Sequence, residues 1–161
     1  MDWVRTVCQN PGMGEREREA FLQNFDIHDY TFAAFCIMGG IFSEGIDLIG
    51  DKLIGAVIIG TGLPQVSIRR EILREYYTDK GENGFDYAYR FPGMNKVLQA
   101  AGRVIRTRED TGVILLLDER FADRKYGELF PREWDDRQSC SLATLEGKLE
   151  GFWKALDRPK N

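Results

Sequence analysis

Three runs in this chain are apolar almost without a break: FAAFCIMG (32–39), GAVIIG (55–60) and VILLLD (113–118). A strand with one face in water alternates apolar and polar side chains. A run that does not alternate predicts a strand covered on both faces, as in a parallel sheet with helices on either side. RTVCQ (5–9) predicts a fourth strand. The segments between have helical spacing. EREREAFLQNF (15–25) puts Phe21, Leu22 and Phe25 on one face, with acids in the first turn, where they oppose the positive end of a helix. VSIRREILREYY (66–77) spaces Ile68, Ile72, Leu73 and Tyr76 helically, and NKVLQAAGRVIR (95–106) does the same with Val97, Leu98, Ala101 and Ile105. TDKGENG (78–84) reads as a loop. Alternating strands and helices predict a layered α/β fold.

The length of 161 residues fits one domain with its own core. Residues 141–161 supply its end: SLATLEGKLEGFWKAL (141–156) stripes Leu142, Leu145, Leu149, Phe152, Trp153 and Leu156 along one face and is expected to dock as an amphipathic helix, with the tail from Asp157 fraying. The first strand lies within five residues of Met1, from which the chain is expected to be a piece of something longer. No run approaches the roughly 18 apolar residues of a membrane span, and MDWVRTVCQN has no apolar stretch of signal-peptide length. Cys8, Cys36 and Cys140 are widely spaced with no C-x-x-C, which argues against a zinc or iron–sulfur site built by this chain alone. Cys8 and Cys36 sit in apolar runs and are expected to be buried. Free thiols suit a reducing, cytoplasmic setting.

The net charge of −4 gives no global pointer to nucleic acid. Its distribution is uneven: residues 1–60 carry net −5, residues 61–108 net +4, and residues 109–161 net −3. A basic middle segment can form an anion-binding face, or simply a solvated helix surface. His28, in DIHDY, reads as a plain surface residue, and Trp3, Trp134 and Trp153 as packing anchors.

Two stretches have the makings of chemistry. MGGIFSEGIDLIG (38–50) follows a buried strand and contains Ser43, Glu44 and Asp47. Glycines there allow close approach of a phosphate or ribose. Ser43 can donate to an anion, and the two acids can orient a hydroxyl, a metal-bound water or an arginine. The alternative is a tight strand-to-helix turn with a polar cap. The second stretch is QAAGRVIRTREDTG (99–112). On a helix, Gln99, Arg103 and Arg106 would project to one side, and two guanidiniums on one face repel unless anions meet them. Phosphate oxygens would meet them well. So would acids of the same chain, namely Glu109, Asp110 or Asp118. The sequence contains neither G-x-x-x-x-G-K-[ST] nor an acidic Asp-Glu-Ala-His box, so a phosphate facing these arginines would have to be held by another domain.

That arrangement belongs to two-domain helicases. GGIFSEGIDLIGDKLIGAVIIG resembles motif V and the following strand of DinG-type DNA helicases, and QAAGRVIRTREDTGVILLLDERF (99–121) resembles their motif VI with its trailing strand. GLPQVSIRREILREYY and GFDYAYRFPGMNKVLQ resemble the linking helices. The wider group is the superfamily 2 helicases that include DinG and the XPD-like helicases, and the likeness runs from about Val7 to Trp134. It implies a RecA-like (P-loop NTPase-type) three-layer domain, with a mostly parallel sheet and helices on both faces. This would be the second motor domain of an ATP-dependent 5′–3′ DNA helicase. The nucleotide cradle, the acidic box and any iron–sulfur cluster would lie in the first motor domain of the parent, not in this chain. ATP, with magnesium, would bind between the two domains.

By the same resemblance, Arg103 and Arg106 would be arginine fingers and Gln99 would complete the set at the γ-phosphate. Gly45 and Asp47 would lie near the ribose, Glu44 between the nucleotide and DNA sites, and Ser43 near the DNA backbone. Arg69, Arg70, Arg74 and Lys96 would flank a groove for single-stranded DNA, with Tyr76, Tyr77, Tyr87 or Tyr89 available for stacking. Such aromatics at helical spacing are more often core. The isolated chain is expected to be inactive. The competing reading is a non-catalytic nucleic-acid-binding α/β module that shares the fold. A third is a free-standing α/β protein with a structural arginine pair.

Overall fold

The computed structural model describes residues 4–26, 29–40, 42, 48, 52–107 and 109–156. Two compact units divide the chain, Met1–Glu128 and Leu129–Asn161.

In the first unit the four expected strands form: β1 (Val4–Cys8), β2 (Thr31–Phe35), β3 (Gly55–Ile59) and β4 (Val113–Leu117). They pair in parallel, β1 with β2 and β3 with β4, and Gly55 lies opposite Val113 at the start of the second ladder. Helices α1 (Glu15–Gln23), α2 (Ile68–Asp79), α3 (Phe91–Ala101) and the short α4 (Arg124–Gly127) complete the unit. Parallel pairing needs crossovers, and α1 lies in the connection from β1 to β2 as α2 and α3 lie in that from β3 to β4.

The α1 start is set by Gly14, whose N–H donates to Glu17 Oε2 at 2.8 Å. Ser67 caps α2. One apolar centre lies around α3: Met94, Val97 and Ala101 are buried on it, together with Ile58 of β3, Ala88, Tyr89 and Val104. A second cluster stacks Phe21 on Phe42 at 4.1 Å, with Phe25 edge-on to Phe32. The close fit of α3 to the loop after β3 needs glycine twice. A Cβ on Gly93 would sit 2.6 Å from the Thr61 carbonyl oxygen, and Gly62 has φ +65°.

Several expectations are corrected. β3 is covered on one face only among the described residues: Ile58 is buried against α3, whereas Val57 and Ile59 on the opposite face are exposed. A continuous apolar run reports what both faces prefer, and among the described residues the Val57 and Ile59 face stays exposed. Cys8 and Cys36 are exposed, because one ends β1 and the other follows β2 at the end of a two-stranded ladder. Helix α2 runs on to Asp79, into the stretch read as loop.

The segment before α3 winds as a π-helical turn over Asp86–Arg90. Pro92 explains it. Proline has no N–H to give the carbonyl four residues back, which is that of Ala88. Arg70 of α2 fills the gap, its Nη1 donating to the Ala88 oxygen at 2.9 Å. Nearby, Tyr77 stacks on Tyr87 at 3.9 Å and the buried Tyr89 donates its hydroxyl to Glu71. Three of the four tyrosines named for stacking are thus packed within the unit, while Tyr76 stays exposed.

The second unit contains a 3-10 turn (Arg132–Trp134) and α5 (Leu142–Leu156). Phe130 packs against Trp134, and Arg137 lies over the Phe130 ring. α5 forms over the expected residues. Leu145, Leu149 and Trp153 of its stripe are half-buried, whereas Leu142 and Leu156 are exposed. No helix among the described residues is long and apolar enough to cross a membrane.

Candidate functional site

Helix α3 was expected to continue through Arg106, but it ends at Ala101. Gly102 is its C-cap, and the chain tightens into a turn in which Arg103 N–H donates to Ala100 O at 3.2 Å and Val104 N–H to Ala101 O at 3.0 Å. Glycine is a poor helix residue, and short-range bonds of this kind satisfy a helix's last carbonyls. The helical spacing that would set Gln99, Arg103 and Arg106 on one face therefore does not run through all three. Gln99 is exposed on the last turn of α3, and Arg103 and Arg106 follow it, half-buried, on the turn and loop. Val104 between them is only 3% exposed and anchors the segment in the core.

Asp110 holds the far side of this loop. Its Oδ2 accepts from the backbone N–H groups of Arg106 and Thr107, both at 2.8 Å. These bonds, Thr107 first and Arg106 second, hold its carboxyl below the ordinary carboxylate range, and the Arg106 charge adds a smaller push the same way. Asp118, one of the acids named as a partner for the arginines, forms a two-pronged pair with Arg120, at 2.8 and 2.6 Å, which holds its carboxyl below the ordinary carboxylate range likewise.

The parallel strands bring their C-terminal ends to one edge of each ladder, the position at which α/β sheets gather ligand-facing loops. At the end of β1, Gln9 Oε1 accepts from the Ile37 N–H at 2.8 Å and so braces the chain leaving β2. Lys96 of α3 lays its aliphatic carbons beside Gly39, where a Cβ would be 3.0 Å away. It thus sits beside the glycine-rich stretch. Ser43, Glu44, Gly45 and Asp47 of that stretch, like His28 and Trp3, lie outside the described residues. Arg69 is exposed on α2; Arg74 pairs with Glu71 at 2.6 Å. The described residues bring together no group of three or more His, Cys, Asp or Glu able to hold a metal ion.

The sequence reading missed two of these residues. Arg70 appeared only as a basic residue for DNA, and nothing local links it to a carbonyl 18 positions away. Asp110 was weighed only as a partner for a guanidinium. The familiar aspartate turn has the side chain bond to backbone that follows it, and here it bonds to backbone that precedes it.

Comparison with known proteins decides the family. The helicase C-terminal domain family matches residues 2–137. The chain belongs to that family. As a helicase C-terminal domain it is 38% identical over 91 residues, 55% of its length, to the ATP-dependent DNA helicase DinG of Photobacterium profundum. It is 30% identical over 70% of its length to the regulator of telomere elongation helicase 1 homolog of Caenorhabditis elegans, and 33% identical over 94% of its length to that of Drosophila melanogaster. It spans 13% of the length of the first two and 17% of the third. Among solved structures, an XPD helicase matches with a TM-score of 0.59 at 19% identity, over 76% of this chain and 22% of that one. The fold is therefore the α/β fold with parallel strands of XPD-like helicases, and the DinG/XPD-like resemblance holds at the level of the family.

Proposed function

We propose that this helicase C-terminal domain is the second motor domain of an ATP-dependent 5′–3′ DNA helicase, acting on nucleotide held by a first motor domain of the same parent. The observation that carries this reading is the family match, which spans both the glycine-rich stretch 38–50 and the 99–118 segment. The donor set fits a polyphosphate: two half-buried arginines, always charged, on one short loop behind an exposed glutamine. ATP, when bound, supplies the phosphoanhydride whose cleavage drives movement. Arg103 and Arg106 hold positive charge toward the γ-phosphate, and Gln99 offers its amide there. Gly45, Asp47 and Glu44 serve the nucleotide side of motif V. Ser43, Arg69, Arg70 and Lys96 belong to the single-stranded DNA track, with Arg70 using nitrogens other than the one on Ala88. Magnesium is assigned to the nucleotide and the first motor domain.

In the parent protein, Arg103→Ala is expected to lower DNA-stimulated ATP turnover by about 10²–10⁵-fold, as arginine-finger losses do. Single-strand affinity, read by fluorescence anisotropy, should be largely kept. Unchanged turnover with lost DNA affinity would favour the non-catalytic nucleic-acid-binding module. The isolated chain should not hydrolyse ATP; turnover by it that Arg106→Ala abolishes would contradict the division of labour.

A further inference from the structure

Among the described residues, the loop that carries Arg106 is held on both sides without a helix. Val104 is sunk in the core on one side. On the other, one carboxylate oxygen, Asp110 Oδ2, takes the N–H groups of Arg106 and Thr107 together. Two successive amides converging on one oxygen fix the orientation of both peptide planes, and a charged acceptor makes such bonds about twice as strong as neutral ones. A weaker bond from the Glu109 N–H to Thr107 Oγ1, at 3.3 Å, closes the turn between them. The Arg106 side chain thus leaves the backbone at a point clamped within two residues on one side and at its own amide on the other. Misplacing a group that acts on a reacting centre by about 1 Å can cost about 10²-fold in rate.

From this geometry we infer that Asp110 is a positioning residue for Arg106, setting the backbone from which the guanidinium reaches the nucleotide. The inference rests on the reading of Arg106 as a phosphate-facing group. Asp110 itself touches no reacting atom in this account. Its work is done on two main-chain amides, so a side chain that keeps an acceptor oxygen at the same place preserves much of the effect, and one that removes it does not.

The test is a double-substitution cycle in the parent helicase, read as ATP turnover in the presence of single-stranded DNA. Asp110→Ala is expected to lower kcat by about tenfold, roughly the worth of one charge-assisted hydrogen bond, with a smaller change in KM for ATP. In an Arg106→Ala background the same change should cost nothing further, because the group being positioned is gone. Asp110→Asn, which keeps a carbonyl oxygen, should recover most of the loss. A cost of equal size in both backgrounds would overturn the inference, since it would mark Asp110 as a general stabiliser. So would an Asp110→Ala protein with full turnover. Should Asp110→Ala not fold, amide hydrogen exchange on the unsubstituted protein decides: the Arg106 and Thr107 amides are expected to exchange at least about tenfold slower than open chain, and exchange at the open-chain rate overturns the inference. Full turnover by Arg106→Ala alone is a different result. It refutes the arginine-finger reading itself, and the positioning role with it.

Discussion

The two ends of helix α3 solve the same problem with opposite charges. At its start, Pro92 strands the Ala88 carbonyl, and an arginine of α2 donates to it. Past its end, the Arg106 and Thr107 amides both donate to one aspartate oxygen. In the first region the guanidinium itself is part of the scaffold. In the second, a carboxylate holds the main chain, and the arginine rides on the backbone it holds. Arginines look alike in a sequence. What separates Arg70 from Arg106 is which group in each region supplies the missing hydrogen bond.

The sharpest way to break this comparison is to remove each arginine in the parent and read turnover. Arg106→Ala should lower ATP turnover by about 10²–10⁵-fold, while Arg70→Ala should leave ATP turnover at saturating DNA within a few-fold. Equal losses would erase the distinction. The stability side has the reverse order. Arg70→Ala leaves the carbonyl of the buried Ala88 without this donor and should cost about 1–3 kcal/mol in a denaturant titration. In a Pro92→Ala background, where an N–H can return to Ala88, that cost should largely disappear. If it persists, the proline is not the reason for the Arg70 contact.

A pH series sharpens the other end. Asp110 has a folded pKa below its ordinary value, with the Thr107 and Arg106 amides as the leading causes and the Arg106 charge as the nearest titratable influence. A depressed folded pKa contributes stability that is whole above the unfolded value, about 3.9. That contribution is lost as pH falls through the folded value. The stability advantage of the wild type over Asp110→Asn should therefore be steady from about pH 5 to 7 and shrink below about pH 4. An advantage that grows on acidification would contradict the assignment. The smallest effect is expected at an exposed pair with no backbone to hold. Arg124 meets Glu128 at 2.7 Å, with the arginine side chain 89% exposed. Arg124→Ala should move stability by no more than about 0.5 kcal/mol.

Much of this was legible before any coordinates. The four strands fall within a residue or so of their apolar runs at the start and within a few at the end, because strand formation follows burial and β-branched content that lie in the run itself. The helices α1, α2 and α5 follow their periodicity for the same local reason. The family resemblance was legible too, since motifs V and VI are short linear patterns. The end of α3 was not. Apolar spacing through Ile105 continues the helical pattern, whereas Gly102 and the pull of Val104 into the core end the helix four residues sooner. The exposure of Cys8 and Cys36 and, among the described residues, that of Val57 and Ile59 on β3 were not legible either, since both depend on what packs alongside.

The sequence by itself determined the alternation of parallel strands and helices, the pairing of Arg103 and Arg106 on one short segment, and membership of the helicase C-terminal domain family. Those properties depend on residue types at short separations. Only the tertiary structure decided that Arg70 belongs to a helix junction 18 residues away, and that Asp110 holds amides rather than a guanidinium as its chief partners. Which donor meets which acceptor is fixed by how elements distant in the chain come to lie side by side, and no local pattern records that.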